Sequence, residues 1–173
     1  GLGELDRVLG GGLVAGQCVL LAGEPGVGKS TLLLAAANTF ANVAKTGRKV
    51  LYVSGEESAE QISIRARRIG ALSDQVLIAD ETDLAVLLGH VEDVDPDLLI
   101  VDSVQTIASA ELEGRAGGVA QVHEVTQVLT RAAKGRRMPL LLIGQSTRDN
   151  SVAGPRSLER SEEHTSELQS RQY

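Results

Sequence analysis

Residues 18–34 read CVLLAGEPGVGKSTLLL, and this stretch decides the fold. Its first five residues, 18–22, form a short apolar run of the kind that makes a buried strand. A glycine-rich turn follows, and then a Leu- and Ala-rich segment from Lys29 to Ala44 that predicts a helix, with Gly47 just past its end. The turn fits the pattern G-x-x-x-x-G-K-[ST] at Gly23, Glu24, Pro25, Gly26, Val27, Gly28, Lys29 and Ser30. Glycines at those positions let successive backbone N–H groups turn inward around phosphate oxygens. A lysine there can reach β- and γ-phosphates, and the following hydroxyl can ligate Mg²⁺. The N-terminus of the helix adds its own positive field. Strand, loop and helix occur in the order this chemistry requires, so the stretch predicts a nucleoside-triphosphate site.

Further along, the same alternation repeats. VLYVS at 50–54 predicts a second strand. Ser58 and Gln61 have capping-box spacing and open a helix to about Ile69, terminated by Gly70. VLIA at 76–79 is a third strand, and Thr82 is placed to cap a helix from Asp83 to about Asp93, before Pro96. LLIVD at 98–102 is a fourth strand. Residues 103–118 read as loop, with Gly114, Gly117 and Gly118, followed by a helix from Val119 to Lys134 and a strand, LLLIG, at 140–144. The strands are continuous apolar runs, which belong to a parallel sheet covered by helices on both faces. The expected fold class is α/β, doubly wound, with the site at the carboxyl ends of the strands.

Four polar residues stand at those ends. Asp102 closes the apolar LLIV and can hold a Mg²⁺ shell, in part through water. Glu56 and Glu57 follow VLYVS after Gly55; one carboxylate there can polarise a water attacking the γ-phosphate, with Glu56 the first choice. Gln145 follows LLLIG and is placed to sense the γ-phosphate. The loop Ser146–Arg156, with Arg148 and Arg156, could meet DNA phosphates. Arg65, Arg67 and Arg68, and the pair Arg136–Arg137, read as solvated basic faces. His90 and His123 read as helix-surface residues and Cys18 as a buried strand residue, none with ligand spacing.

Composition sets the outer limits. The chain has 173 residues, 17 Lys+Arg, 23 Asp+Glu and a net charge of -6. An apolar fraction of 42% and a charged fraction of 23% suit a single soluble globular domain. One cysteine excludes an internal disulfide framework and a multi-cysteine zinc site. The aromatic residues are Phe40, Tyr52 and Tyr173, too few for a base-stacking surface. Net acidity argues against charge-driven nucleic-acid binding by the whole surface. No apolar run approaches the ~20 residues that span a bilayer, and no leader is apparent, so the expected location is cytoplasmic, away from membranes. Residues 160–170, RSEEHTSELQS, are identical to the translation of a common sequencing adapter. Residues 160–173 are therefore set apart from the fold, leaving 1–159 as the expected domain, and the start without Met reads as an internal fragment.

The chain also resembles a family. Residues 1–13, GLGELDRVLGGGL, look like the lead-in of RecA-like ATPases, which include the KaiC and RadA branches. GEPGVGKSTLLL at 23–34, LYVSGEESAEQI at 51–62, LIVDSVQTI at 99–107 and AGPR at 153–156 together are similar to bacterial RadA (Sms). That resemblance implies a RecA-like core using ATP and Mg²⁺ in DNA repair by homologous recombination. It implies a hexameric ring on single-stranded DNA that drives branch migration of recombination intermediates alongside RecA. Carried over, the phosphate loop runs from Gly23 to Ser30 and extends to Thr31, Asp102 coordinates Mg²⁺, and Glu56 and Glu57 are the glutamate pair. The loops after Asp102 and Gln145 would face DNA. The family's four-cysteine zinc finger would precede residue 1. Its Lys-Asn-Arg-Phe-Gly motif, a further strand after Ser157 and a Lon-like domain would come later in the chain. The family often has His where Gln145 stands. A KaiC-like signalling ATPase and a non-catalytic nucleotide-binding fragment stay open as alternatives.

Overall fold

The five apolar runs lie side by side. The structure, a computed structural model, describes residues 13–23, 27–43, 47–71 and 73–145. Its strands are β1 (Cys18–Gly23), β2 (Val50–Ser54), β3 (Val76–Asp80), β4 (Leu98–Asp102) and β5 (Leu140–Gln145). Its helices are α1 (Val27–Val43), α2 (Ala59–Arg68), α3 (Leu84–Val94) and α4 (Val119–Arg136). The strands form one sheet in the order β1-β5-β4-β2-β3, and every pairing is parallel.

Alternate residues of each strand feed two cores. Cys18, Leu20, Leu51, Val53, Leu99, Val101, Leu140 and Leu142 face α3 and α4. Val19, Val50, Tyr52, Leu98, Ile100, Leu141 and Ile143 face α1 and α2. Both faces of the sheet are thus covered, which is why the strands read as unbroken apolar runs. Small residues on α1, Ala36, Ala37 and Ala41, let that helix pack closely, and Phe40 fills the gap beside them. Each fully buried Leu or Ile contributes about 1.5–3 kcal/mol. β3 is an edge strand, and only its Val76 is buried.

The local signals are mostly met. Ser58 caps α2 with both hydrogen bonds of a capping box, and Gly70 has a φ of 70° just beyond its end. Two expectations are corrected. The cap of α3 is Asp83 rather than Thr82, because the Asp83 carboxylate accepts from both Ala85 N and Val86 N, at 2.8 and 3.2 Å. The Thr82 carbonyl instead accepts from Ala108 N at 2.9 Å. Residues 103–118 are not simply loop: a buried 3-10 turn runs from Val104 to Thr106. Gln121 then ties down the rest, its Oε1 accepting from Ser109 N and its Nε2 donating to the carbonyls of Ser109, Leu112 and Gly114.

Strand register brings the polar ends level with one another. Asp80, Ser54 and Asp102 align across β3, β2 and β4. Ile143 aligns with Asp102, so β5 projects two residues further and presents Gln145 opposite Gly23 of β1.

Candidate functional site at the strand ends

The site is built where β1 gives way to α1. Lys29 lies in the first turn of α1, and its ammonium stands 3.1 Å from Asp102 Oδ1 at the end of β4. Asp102 is buried, and its Oδ2 accepts from the buried Tyr52 hydroxyl at 3.2 Å. Burial first, and then Asp102, push the Tyr52 phenol far above its ordinary pKa, so it stays a donor. Lys29 Nζ, Asp102 Oδ1 and the neighbouring Ser103 Oγ are buried without a well-formed hydrogen bond among the described residues. Ser30, on the next position of α1, is buried too. Hydroxyl and carboxylate oxygens are the hard donors that Mg²⁺ prefers, so Ser30 and Asp102 fit that ion. No group of three or more His, Cys, Asp or Glu among the described residues is placed to hold a metal.

The two glutamates diverge. Ser54 Oγ accepts from Glu56 N and Glu57 N, at 3.3 and 3.0 Å, and so fixes the turn after β2. Gly55 is required there: a Cβ on it would lie 1.8 Å from Thr106 Oγ1. Glu56 meets the Gln145 side-chain amide, while Gln145 N donates to Gln105 Oε1 at 3.1 Å. Partial burial, and then the Asp102 charge, raise the Glu56 pKa against the pull of Lys29. Glu57 turns toward α2 instead, where Arg65 grips both of its oxygens. That hydrogen bond holds the Glu57 carboxyl below its ordinary range.

The structure therefore brings together Lys29, Asp102, Glu56 and Gln145, while Ser30, next to Lys29 on α1, is bonded with Glu57 and Arg65. Gly28 and Thr31 lie on the first turns of α1, while Glu24, Pro25 and Gly26 lie outside the described residues, as do the loop 146–156 and residues 160–173. Three residues escape sequence reasoning. Tyr52 reads there only as a rare aromatic, and Gln105 as loop. Arg65 is no solvated face: its Nη1 donates to Ser30 Oγ at 2.6 Å. Arg67 and Arg68 are exposed as expected, and Arg136 pairs with Asp95 at 2.8 Å. His90 and His123 are half-buried rather than surface residues, and His123 Nδ1 finds no hydrogen-bond partner among the described residues. Cys18 is buried and free of disulfide. Beside Glu56 and Glu57 opens a cavity of about 460 Å³, lined also by Asp80 and Glu81.

A family profile for the AAA domain matches residues 3–151. The chain belongs to the AAA-domain family. The matched range takes in every element from β1 to β5, and hence the whole strand-end cluster of this AAA domain. It is 55% identical over 163 residues to the DNA repair protein RadA of Mycolicibacterium smegmatis, covering 92% of this chain and 34% of that protein. It is 50% identical over 159 residues to the DNA repair protein RadA of Aquifex aeolicus, covering 92% and 35%. The chain thus spans about a third of the curated relatives it matches. In fold it is similar to a KaiC-like protein of Pyrococcus horikoshii, with a TM-score of 0.62 at 20% identity, over 93% of this chain and 73% of that one. The architecture is the RecA-like α/β fold.

Proposed function

We propose that residues 1–159 are the ATPase core of a RadA-type DNA-repair motor. The observation that carries this reading is the meeting of Lys29, Asp102, Glu56 and Gln145, from four segments, at one end of a parallel sheet. Gly23 to Thr31 bind the phosphates of ATP, with Lys29 on the β- and γ-phosphate oxygens. Ser30 and Asp102 hold Mg²⁺, Asp102 in part through water. When bound, Mg²⁺ neutralises phosphate charge and orients the phosphoryl oxygens. Glu56 accepts the proton of the attacking water, and its raised pKa makes it a stronger base than an ordinary carboxylate. Gln145 orients that carboxylate and contacts the γ-phosphate. Through its backbone N–H it is joined to Gln105, in the segment after Asp102 that would face DNA.

The name of the relatives, DNA repair protein RadA, supports a role in DNA repair. The larger setting proposed with it is single-stranded DNA and recombination intermediates as substrates, branch migration, a ring of identical subunits, RecA as a partner, and the cytoplasm as location. No described helix is long and apolar enough to cross a membrane. The test is ATP turnover by the full-length protein with and without single-stranded DNA. Stimulation by DNA, abolished in Glu56→Gln with nucleotide binding retained, is the expected result. Turnover indifferent to DNA would favour a KaiC-like signalling role instead.

A further inference from the structure

Ser30 is the hydroxyl through which this site would hold Mg²⁺, and it is already engaged. Arg65 Nη1 donates to Ser30 Oγ at 2.6 Å and to Glu57 Oε1 at 3.0 Å, while Nη2 donates to Glu57 Oε2. Ser30 hydrogen-bonds Glu57 as well. The three side chains close a triad between α1 and α2, with the Arg65 side chain 19% and the Glu57 side chain 31% exposed. A hydroxyl oxygen has two lone pairs, and one of them points at the guanidinium. A dication on the other would sit within a few ångströms of a fixed positive charge, in a place only partly open to water. Arginine cannot relieve this by losing its proton.

We propose that Arg65 is a positioning residue that sets the divalent-cation requirement of the site. Mg²⁺ reaches the Ser30 hydroxyl by opening the Arg65–Ser30–Glu57 triad, and Arg65 leaves with Glu57 as a neutral pair. The proposal rests on the reading of Lys29, Ser30 and Asp102 as a nucleotide and metal site. It goes further by naming what competes with the metal.

The test is binding of a fluorescent ADP analogue to the full chain across a Mg²⁺ titration that begins in EDTA. Arg65→Gln is expected to lower the Mg²⁺ midpoint by about tenfold, with affinity in EDTA unchanged. Arg65→Lys, which keeps the charge, is expected to fall closer to the wild type. Glu57→Gln leaves the Arg65 charge uncompensated and is expected to move the midpoint upward. Opposite shifts in Arg65→Gln and Glu57→Gln are something a merely structural role would not produce. If Arg65→Gln unfolds, as circular dichroism would show, the Glu57→Gln shift alone decides. An unchanged midpoint in the folded variants overturns the proposal. So does weaker binding by Arg65→Gln at every Mg²⁺ concentration, which would make Arg65 a phosphate ligand. No nucleotide binding by the wild type would instead sink the site reading beneath it.

Discussion

Lys29 and Asp102 form a buried ion pair at 3.1 Å, although the strands that carry them to each other are not neighbours. β5 lies between β1 and β4, and the pair bridges over its end. Two charges have left water to make this contact, so each depends on the other. Tyr52 adds a hydroxyl to Asp102, Ser30 follows Lys29 on α1, and Ser103 follows Asp102 at the end of β4.

Lys29→Ala should therefore have two effects. Nucleotide affinity should fall below detection, because the charge facing the phosphates is gone. Stability should also fall by about 3 kcal/mol, because Asp102 is left buried without its cation. Urea unfolding of Lys29→Ala, Asp102→Ala and the double variant checks this: the double variant should lose less than the two single losses together.

Tyr52→Phe keeps the packing of a residue that is fully buried and removes one hydroxyl. It should cost about 1–2 kcal/mol, because Asp102 Oδ2 is left without that donor. Thermal unfolding measures it. A neutral result would mean that Tyr52 is there for volume alone.

Gly55→Ala should cost about 1–3 kcal/mol through overpacking against Thr106. Adding Thr106→Gly should recover part of the loss, since it removes both side-chain atoms in the way. Turnover should suffer more than stability, because Gly55 sets the direction in which Glu56 leaves β2.

Glu56 and Glu57 should differ in their pH behaviour. The raised Glu56 pKa places the acid limb of turnover above the ordinary carboxylate range, and Glu56→Gln should abolish turnover while sparing binding. Glu57 is shifted the other way, first by its hydrogen bond to Arg65. Its contribution to stability, about 1 kcal/mol for a partly exposed pair, is present above the unfolded carboxylate pKa. It is lost as pH falls through the lowered folded value. The stability gap between wild type and Glu57→Gln should close in that acid window. Loss of turnover in Glu57→Gln with Glu56→Gln active would exchange their roles.

Much of the fold and the site is legible in the sequence, for local reasons. VLYVS and LLIVD begin and end as strands where their apolar runs do, and Ser58 and Gln61 form the capping box their spacing announces. Asp102 and Gln145 stand out because each polar residue ends an apolar run, and Glu56 because it comes two residues after one. Where two neighbouring residues could both cap, as at Thr82 and Asp83, spacing does not choose between them; the long-range pairing of Thr82 with Ala108 does. Arg65 and Tyr52 escape notice for the same kind of reason. Arg65 lies 35 positions from Ser30 and Tyr52 lies 50 from Asp102, and nothing local to either residue announces its partner. Tyr52 also sits in an otherwise aliphatic strand, where its ring reads as core and its hydroxyl is easily overlooked.

The most direct measurement is calorimetric titration of Mg-ADP into the wild-type chain and into Lys29→Ala. The result expected is one nucleotide bound per wild-type chain and none per variant. Equal binding by both, or none by the wild type, would contradict a nucleotide site centred on Lys29.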